Sequence, residues 1–162
     1  MKTILIKEGQ EVSQNFDYVL DLVENPPRPC TGCWSCWTRT PGRCAQKDLD
    51  VFYRQYVAAD RAVILSRAVK GFVSARLKNL LDRMIALFLP YITYRTGESM
   101  HLPRYERLPK VTVYYEGDFV SPEEEEVYLS YLKRTMYQFY TQCEILPMER
   151  FAEKEAAQCA KP

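Results

Sequence analysis

Histidine is almost missing from this chain: among 162 residues there is one, His101. A Ser-His-Asp or Cys-His nucleophilic pair would have to be built on that single ring, and its polar neighbours predict a surface loop. An excess of one charge is also lacking. Lys and Arg number 22 against 21 Asp and Glu, a formal net charge of +1, so nothing here suits a phosphate backbone and nucleic acid is not an expected partner. Long apolar runs are absent. The longest, Met84 to Ile92, is broken by Pro90 and falls well short of the roughly 20 residues a membrane span needs. Met1-Lys2-Thr3-Ile4-Leu5-Ile6 has neither the length nor the cleavage site of a secretory signal; the expectation is a cytoplasmic protein without a membrane partner. No repeat, composition shift or Pro/Gly/Ser-rich linker divides the sequence, so residues 1–162 are expected to form one domain with a real core.

What is present alternates between two periods. Thr3-Ile4-Leu5-Ile6 and Tyr18-Val19-Leu20-Asp21-Leu22 are short apolar runs of strand type. The segment from Lys7 to Asp17 between them has neither the length nor the apolar period of a crossover helix. That predicts an irregular connection, or an antiparallel pair. Asn25 to Gly42 reads as loop; Asp48 is expected to cap a short helix with Leu49, Phe52, Tyr53 and Tyr56 on one face. Arg61 to Ser66 is a continuous apolar strand. Leu77, Leu80, Leu81, Met84, Ile85 and Phe88 predict a helix from about Val73 to Leu89, closed by Pro90. Residues 91–108 have no steady period and form a long excursion. Lys110 to Tyr115 returns to strand, and Ser121-Pro122-Glu123-Glu124 is a capped helix start continued by Tyr128, Leu132, Thr135 and Phe139. The acidic run Glu123 to Glu126 is explained by helix-start electrostatics. Glu144 to Met148 is a final short strand, followed by a polar tail beyond Phe151. The alternation from Arg61 onward predicts an α/β fold with a mostly parallel sheet and helices on both faces.

Chemistry concentrates in Cys30-x2-Cys33-x2-Cys36-x7-Cys44. Two-residue spacings let successive thiolates converge on one small centre, Gly32 permits close backbone approach, and Pro41-Gly42 can return a fourth ligand. Four thiolates so presented suit a 4Fe–4S cluster; tetrahedral zinc accepts the same set; free or disulfide-forming thiols are the remaining option. Trp34 and Trp37 could shield such a centre or pack on the sheet edge. Cys143 is expected in the core.

The run Cys30 to Cys44, followed by Lys47-Asp48, a short helix, Ala59-Asp60 before a strand, and Leu77-Lys78-Asn79-Leu80-Leu81-Asp82-Arg83, resembles the flavodoxin-like NAD(P)H-dependent oxidoreductases. Its compact cysteine motif is similar to that of their iron–sulfur flavoprotein branch. The resemblance implies a five-stranded doubly wound sheet, FMN at the carboxyl ends of the strands, electron transfer, and a homodimer or a flavoprotein partner. It places cofactor-binding residues at Ser66, Arg67, Val69, Lys70 and Gly71 after the third strand, and at Tyr115 and Gly117 after the next. The metal ligands it implies are Cys30, Cys33, Cys36 and Cys44. The sequence departs from that family after the first strand, where Lys7-Glu8-Gly9-Gln10-Glu11 replaces the loop and helix start that meet the FMN phosphate. Glu116 and Asp118 add negative charge nearby. Weak or absent FMN binding by this chain alone is therefore expected.

Overall fold

The computed structural model describes residues 1–159. Its central sheet is built from β1 (Thr3–Lys7), β2 (Tyr18–Asp21), β3 (Arg61–Val69), β7 (Lys110–Glu116) and β8 (Cys143–Pro147), all parallel, in the order β2-β1-β3-β7-β8. This is the flavodoxin-like strand order, which reverses direction between β1 and β3. A two-residue strand, β4 (Phe72–Val73), folds back antiparallel on the end of β3. A separate hairpin is formed by β5 (Phe88–Thr93) and β6 (Met100–Pro103).

The helices are α1 (Ser35–Thr38), α2 (Asp50–Val57), α3 (Ala75–Arg83), α4 (Pro122–Gln138) and α5 (Phe151–Cys159). Strand side chains alternate between faces. Ile4, Ile6, Ala62, Ile64, Val111 and Val113 join Phe52, Tyr53 and Tyr56 of α2, Leu77, Leu80 and Leu81 of α3, and Tyr128, Leu132 and Met136 of α4 in the main core. Leu5, Val63, Leu65 and Tyr114 face the other way, against Phe151 of α5 and the half-buried Val12 and Phe16.

That second face is thin because no helix joins β1 to β2. Glu8 to Asp17 is irregular chain, and β2 nevertheless pairs parallel to β1. A four- or five-residue strand rises only about 17 Å, at about 3.3 Å per residue, which extended chain of this length can retrace. Val12 and Phe16 do part of the covering that a crossover helix would otherwise do.

Several sequence expectations are corrected. The helix predicted from Val73 to Leu89 ends at Arg83, continues as a 3-10 turn over Met84–Leu87, and gives way to β5, with Pro90 inside that strand. The sheet formed by β5 and β6 runs from the end of that predicted helix into the region read as a long excursion; as a two-stranded edge it needs no strict alternation. Asp48 does not cap α2: Leu49 holds that position with no side-chain cap, and Asp48 pairs with Arg83 instead. The tail beyond Phe151 forms α5; its last part, 160–162, lies outside the described residues. His101 lies on β6, half-buried, with Nδ1 3.0 Å from the Leu89 carbonyl oxygen and its ring against Trp37. The start of α4 is as expected, with Pro122 in the first turn and Ser121 Oγ accepting from Glu124 N.

Ser74 caps α3 in the same way, its Oγ accepting from Leu77 N at 3.1 Å. Because its hydroxyl also donates to the buried Glu8 carboxylate, Ser74→Ala is expected to cost about 2–4 kcal/mol, read as a lower urea midpoint with unchanged slope.

Candidate functional site

Two regions carry chemistry: the cysteine segment and the carboxyl edge of the sheet. The cysteine segment is fastened to α3, to β5 and across itself. Asn79 Nδ2 donates to the Pro27 carbonyl oxygen at 3.2 Å, Gln46 Nε2 to that of Pro29 at 2.9 Å, and Trp37 Nε1 to that of Phe88 at 3.0 Å. Trp34, which precedes α1, has a left-handed backbone (φ 61°), a conformation that costs a non-glycine residue free energy. Gly42 is also left-handed, at φ 79°, and a Cβ there would lie 3.2 Å from Arg104 Cδ.

So folded, Cys30, Cys33, Cys36 and Cys44 line one small hollow of about 30 Å³ together with Arg83 and Ala86. All four are free thiols. The hollow gathers them, yet among the described residues no three His, Cys, Asp or Glu side chains are grouped to hold a metal ion. Burial, and then the proximity of Cys44, Cys30 and Cys33, pushes the Cys36 thiol up. Cys33 behaves oppositely: hydrogen bonds from Ser35, and then Thr31, lower it to about 7.

Arg83 forms the back wall. Its side chain is fully buried, with Nη1 and Nη2 donating to the two Asp48 carboxylate oxygens at 2.6 and 2.5 Å and Nη1 also to the Arg28 carbonyl oxygen at 3.3 Å. Hydrogen bonding from Arg83 holds the Asp48 carboxyl below its usual range, against partial burial. Arg83 Nε is buried without a partner. Sequence reasoning missed this pair. Its signal was a cation directly between Leu81 and Met84 on an otherwise apolar helix face.

The carboxyl edge is closed by its own side chains. Glu8, buried at 6% exposure, accepts from Arg67 N at 2.9 Å and from the Ser74 hydroxyl at the start of α3. Glu8 N donates to Gln10 Oε1 at 2.7 Å, Gln10 Nε2 donates to Glu116 Oε1 at 3.2 Å, and the Arg67 guanidinium reaches that same oxygen at 3.0 Å. A carboxylate therefore occupies the switch point between β1 and β3, against a helix N-terminus, where a phosphate would gain most.

The residues expected to bind a cofactor are neighbours at this edge, in β3 and β7 or just beyond. Ser66 is buried, its Oγ 2.6 Å from the Tyr128 hydroxyl. Arg67 and Val69 extend β3 rather than entering a loop, and Lys70-Gly71, both with positive φ, make the two-residue turn into β4. Gly71 leaves room for the Glu124 carboxylate, and Gly117 packs on Ala68, where a Cβ would come within 2.4 Å. Tyr115 donates to Glu125 Oε1 at 2.6 Å.

Fold and site together define a flavodoxin-like α/β protein with a thiol-lined hollow and a carboxylate at its switch point. No protein-family model and no curated protein matches the chain. Solved structures do resemble it. Azoreductase AzrA superimposes with a TM-score of 0.60 at 13% identity, covering 97% of this chain and 92% of its own. An azoreductase from Bacillus anthracis str. Sterne gives 0.59 at 14%, covering 98% and 92%. An FMN-dependent NADH-azoreductase from Bacillus anthracis str. Ames Ancestor, in complex with FMN, gives 0.56 at 15%, covering 99% and 100%. At these identities the likeness is one of fold.

Proposed function

We propose that this chain is an electron-transfer protein in which Cys30, Cys33, Cys36 and Cys44 hold an iron–sulfur cluster. It exchanges electrons with a flavin carried by a partner, either a flavoprotein or another subunit, rather than by its own strand ends. The observation that carries this reading is the four-thiol hollow backed by the buried, unpartnered Nε of Arg83. A buried N–H without a partner is costly, and the Cys44 sulfur beside this guanidinium would satisfy it as a thiolate. The short regular spacing of Cys30, Cys33 and Cys36 favours a cluster, where each thiolate binds its own iron, over one zinc ion with four sulfurs about 2.3 Å away.

A cluster in this place supplies one-electron transfer. The chain's own residues do the rest. Arg83, held by Asp48, would present its positive charge to a cluster's sulfurs, which would favour the more negative, reduced state. Trp37, half-buried against His101, covers one side of the centre. Arg67, Val69, Lys70 and Gly117, exposed at the carboxyl edge, and the half-buried Tyr115 would form a docking face for the flavin-bearing partner, with Ser66 and Gly71 buried beneath it. The shared fold of the NADH- and FMN-dependent azoreductase supports a redox role of this general kind, while the buried Glu8 argues against a flavin phosphate in this chain.

Protein purified without oxygen is expected to be coloured, with about four irons per chain, and Cys36→Ser to lose most of the iron. Colourless protein with one zinc per chain, or with no metal at all, would sink the proposal.

A further inference from the structure

A cleft of about 600 Å³ opens beside the cysteine hollow, between the cysteine segment, α3 and α4. Its walls are largely apolar, with Trp34, Trp37, Leu81, Ile85, Tyr131 and Phe139 contributing. This volume and lining are those of a small-molecule site. Cys30, Trp34, Cys36 and Ile85 belong to both cavities, so an occupant of the cleft touches the wall of the thiol hollow.

Two features make the cleft more than a packing gap. Trp34 keeps its indole 64% exposed at the rim on a left-handed backbone, edge-on to Trp37 at 5.4 Å, although burial would be the default for so large an apolar ring. The charges lining the cleft are Lys78 and Arg134 against the single carboxylate of Asp82. Lys78 Nζ pairs with Asp82 at 2.5 Å, and Arg134 pairs with Glu98 while its guanidinium lies over the Tyr137 ring. Both pairs are substantially exposed; such pairs are weak, and a ligand anion can compete for their cations.

We propose that this cleft binds a planar aromatic anion of two or three fused rings whose charged group sits directly on the ring, unlike the chain-borne phosphate of FMN, with the rings between the tryptophans and the apolar face of α3 and α4 and the anionic group at Arg134 and Lys78. Its role as a redox partner of the cysteine centre rests on the function proposed above; its binding does not.

The chain has only two tryptophans, and both line the cleft, so intrinsic tryptophan emission reports on this site. Anthraquinone-2-sulfonate is expected to quench it saturably with one site per chain, and the uncharged 2-(hydroxymethyl)anthraquinone to bind more weakly. Arg134→Gln should weaken the sulfonate by up to about fivefold, the range of an exposed ion pair, and leave the uncharged probe unchanged. Thr135→Phe, which fills the cleft from α4, should abolish saturable quenching by both, with calorimetry as the independent readout and the thermal midpoint as the check on folding. Non-saturable quenching, or equal binding by a folded Thr135→Phe variant, would overturn the proposal. So would a dimer in gel filtration whose emission ignores both probes, which would assign the cleft to a second copy. Iron content is measured separately on the same samples, so loss of the cluster reading and loss of this one are distinguishable.

Discussion

Glu155→Ala is expected to destabilise the protein by about 3–5 kcal/mol, the range for removing one partner of a buried ion pair. Glu155 is 2% exposed and Arg61 8%. The guanidinium donates to both carboxylate oxygens, at 2.7 and 2.6 Å, and the Tyr114 hydroxyl donates to Oε1 at 2.6 Å. Arg61 also reaches Thr112 Oγ1 at 3.1 Å. With Phe151, this network fastens α5 over the face of the sheet that has no crossover helix, so the loss should appear as a large fall in the urea midpoint. Converting both partners, as Arg61→Met with Glu155→Leu, should recover most of it, because the uncompensated charge is then gone.

Acid should act on the same clasp. Burial opposes ionisation of Glu155, but hydrogen bonds from Arg61 and Tyr114 and the charge of Arg61 outweigh it and hold its carboxyl below the usual value of 4.5. A carboxyl depressed in the folded state contributes stability above its unfolded pKa and loses it as pH falls through the folded one. The wild type should therefore lose stability below about pH 4.5 more steeply than Glu155→Leu with Arg61→Met, measured by urea unfolding across that range. Identical pH profiles would mean the clasp contributes nothing to acid stability.

Titration of the isolated protein with FMN is expected to show weak binding or none. A phosphate at the β1–β3 switch point needs the amides of a helix start, and after β1 the chain has only the irregular Glu8 to Asp17 segment. The helix start at Ser74 already faces the Glu8 carboxylate. Missing two or three charge-assisted hydrogen bonds, each worth about 1.5–3 kcal/mol, weakens affinity by roughly two to six orders of magnitude. Glu8→Gln removes the like charge while keeping a side chain of the same size. It should improve binding without reaching submicromolar affinity, because no donors are added. Stoichiometric submicromolar binding to the wild-type chain, followed by flavin fluorescence, would restore the self-sufficient flavoenzyme.

Strand and helix types were legible wherever one period governed a segment. Ile4 and Ile6, the buried run Arg61 to Ser66, and the capped α4 all follow from local pattern, as does the missing first helix. The α/β class and the clustering of Cys30, Cys33, Cys36 and Cys44 were also local properties, since short spacings confine thiols to one neighbourhood whatever surrounds them. Arg61 illustrates the limit. In sequence it merely opens an apolar strand; its partner Glu155 lies in a tail that reads as polar.

Tertiary structure alone decided which distant groups met. Asp48 has the chemistry of a helix cap, but the fully buried Arg83 offered it two charged hydrogen bonds in place of one backbone amide, and the stronger interaction prevailed. In sequence Glu8 is one acid of the loop that replaces the phosphate turn; only the parallel pairing of β1 with β3 brings it to Arg67 N and Ser74. The cleft beside Trp34 exists only because α3, α4 and the cysteine segment converge. A sequence specifies local geometry through φ/ψ preference and apolar period, whereas the satisfaction of a buried charge is settled by whatever the finished fold places within about 3 Å of it.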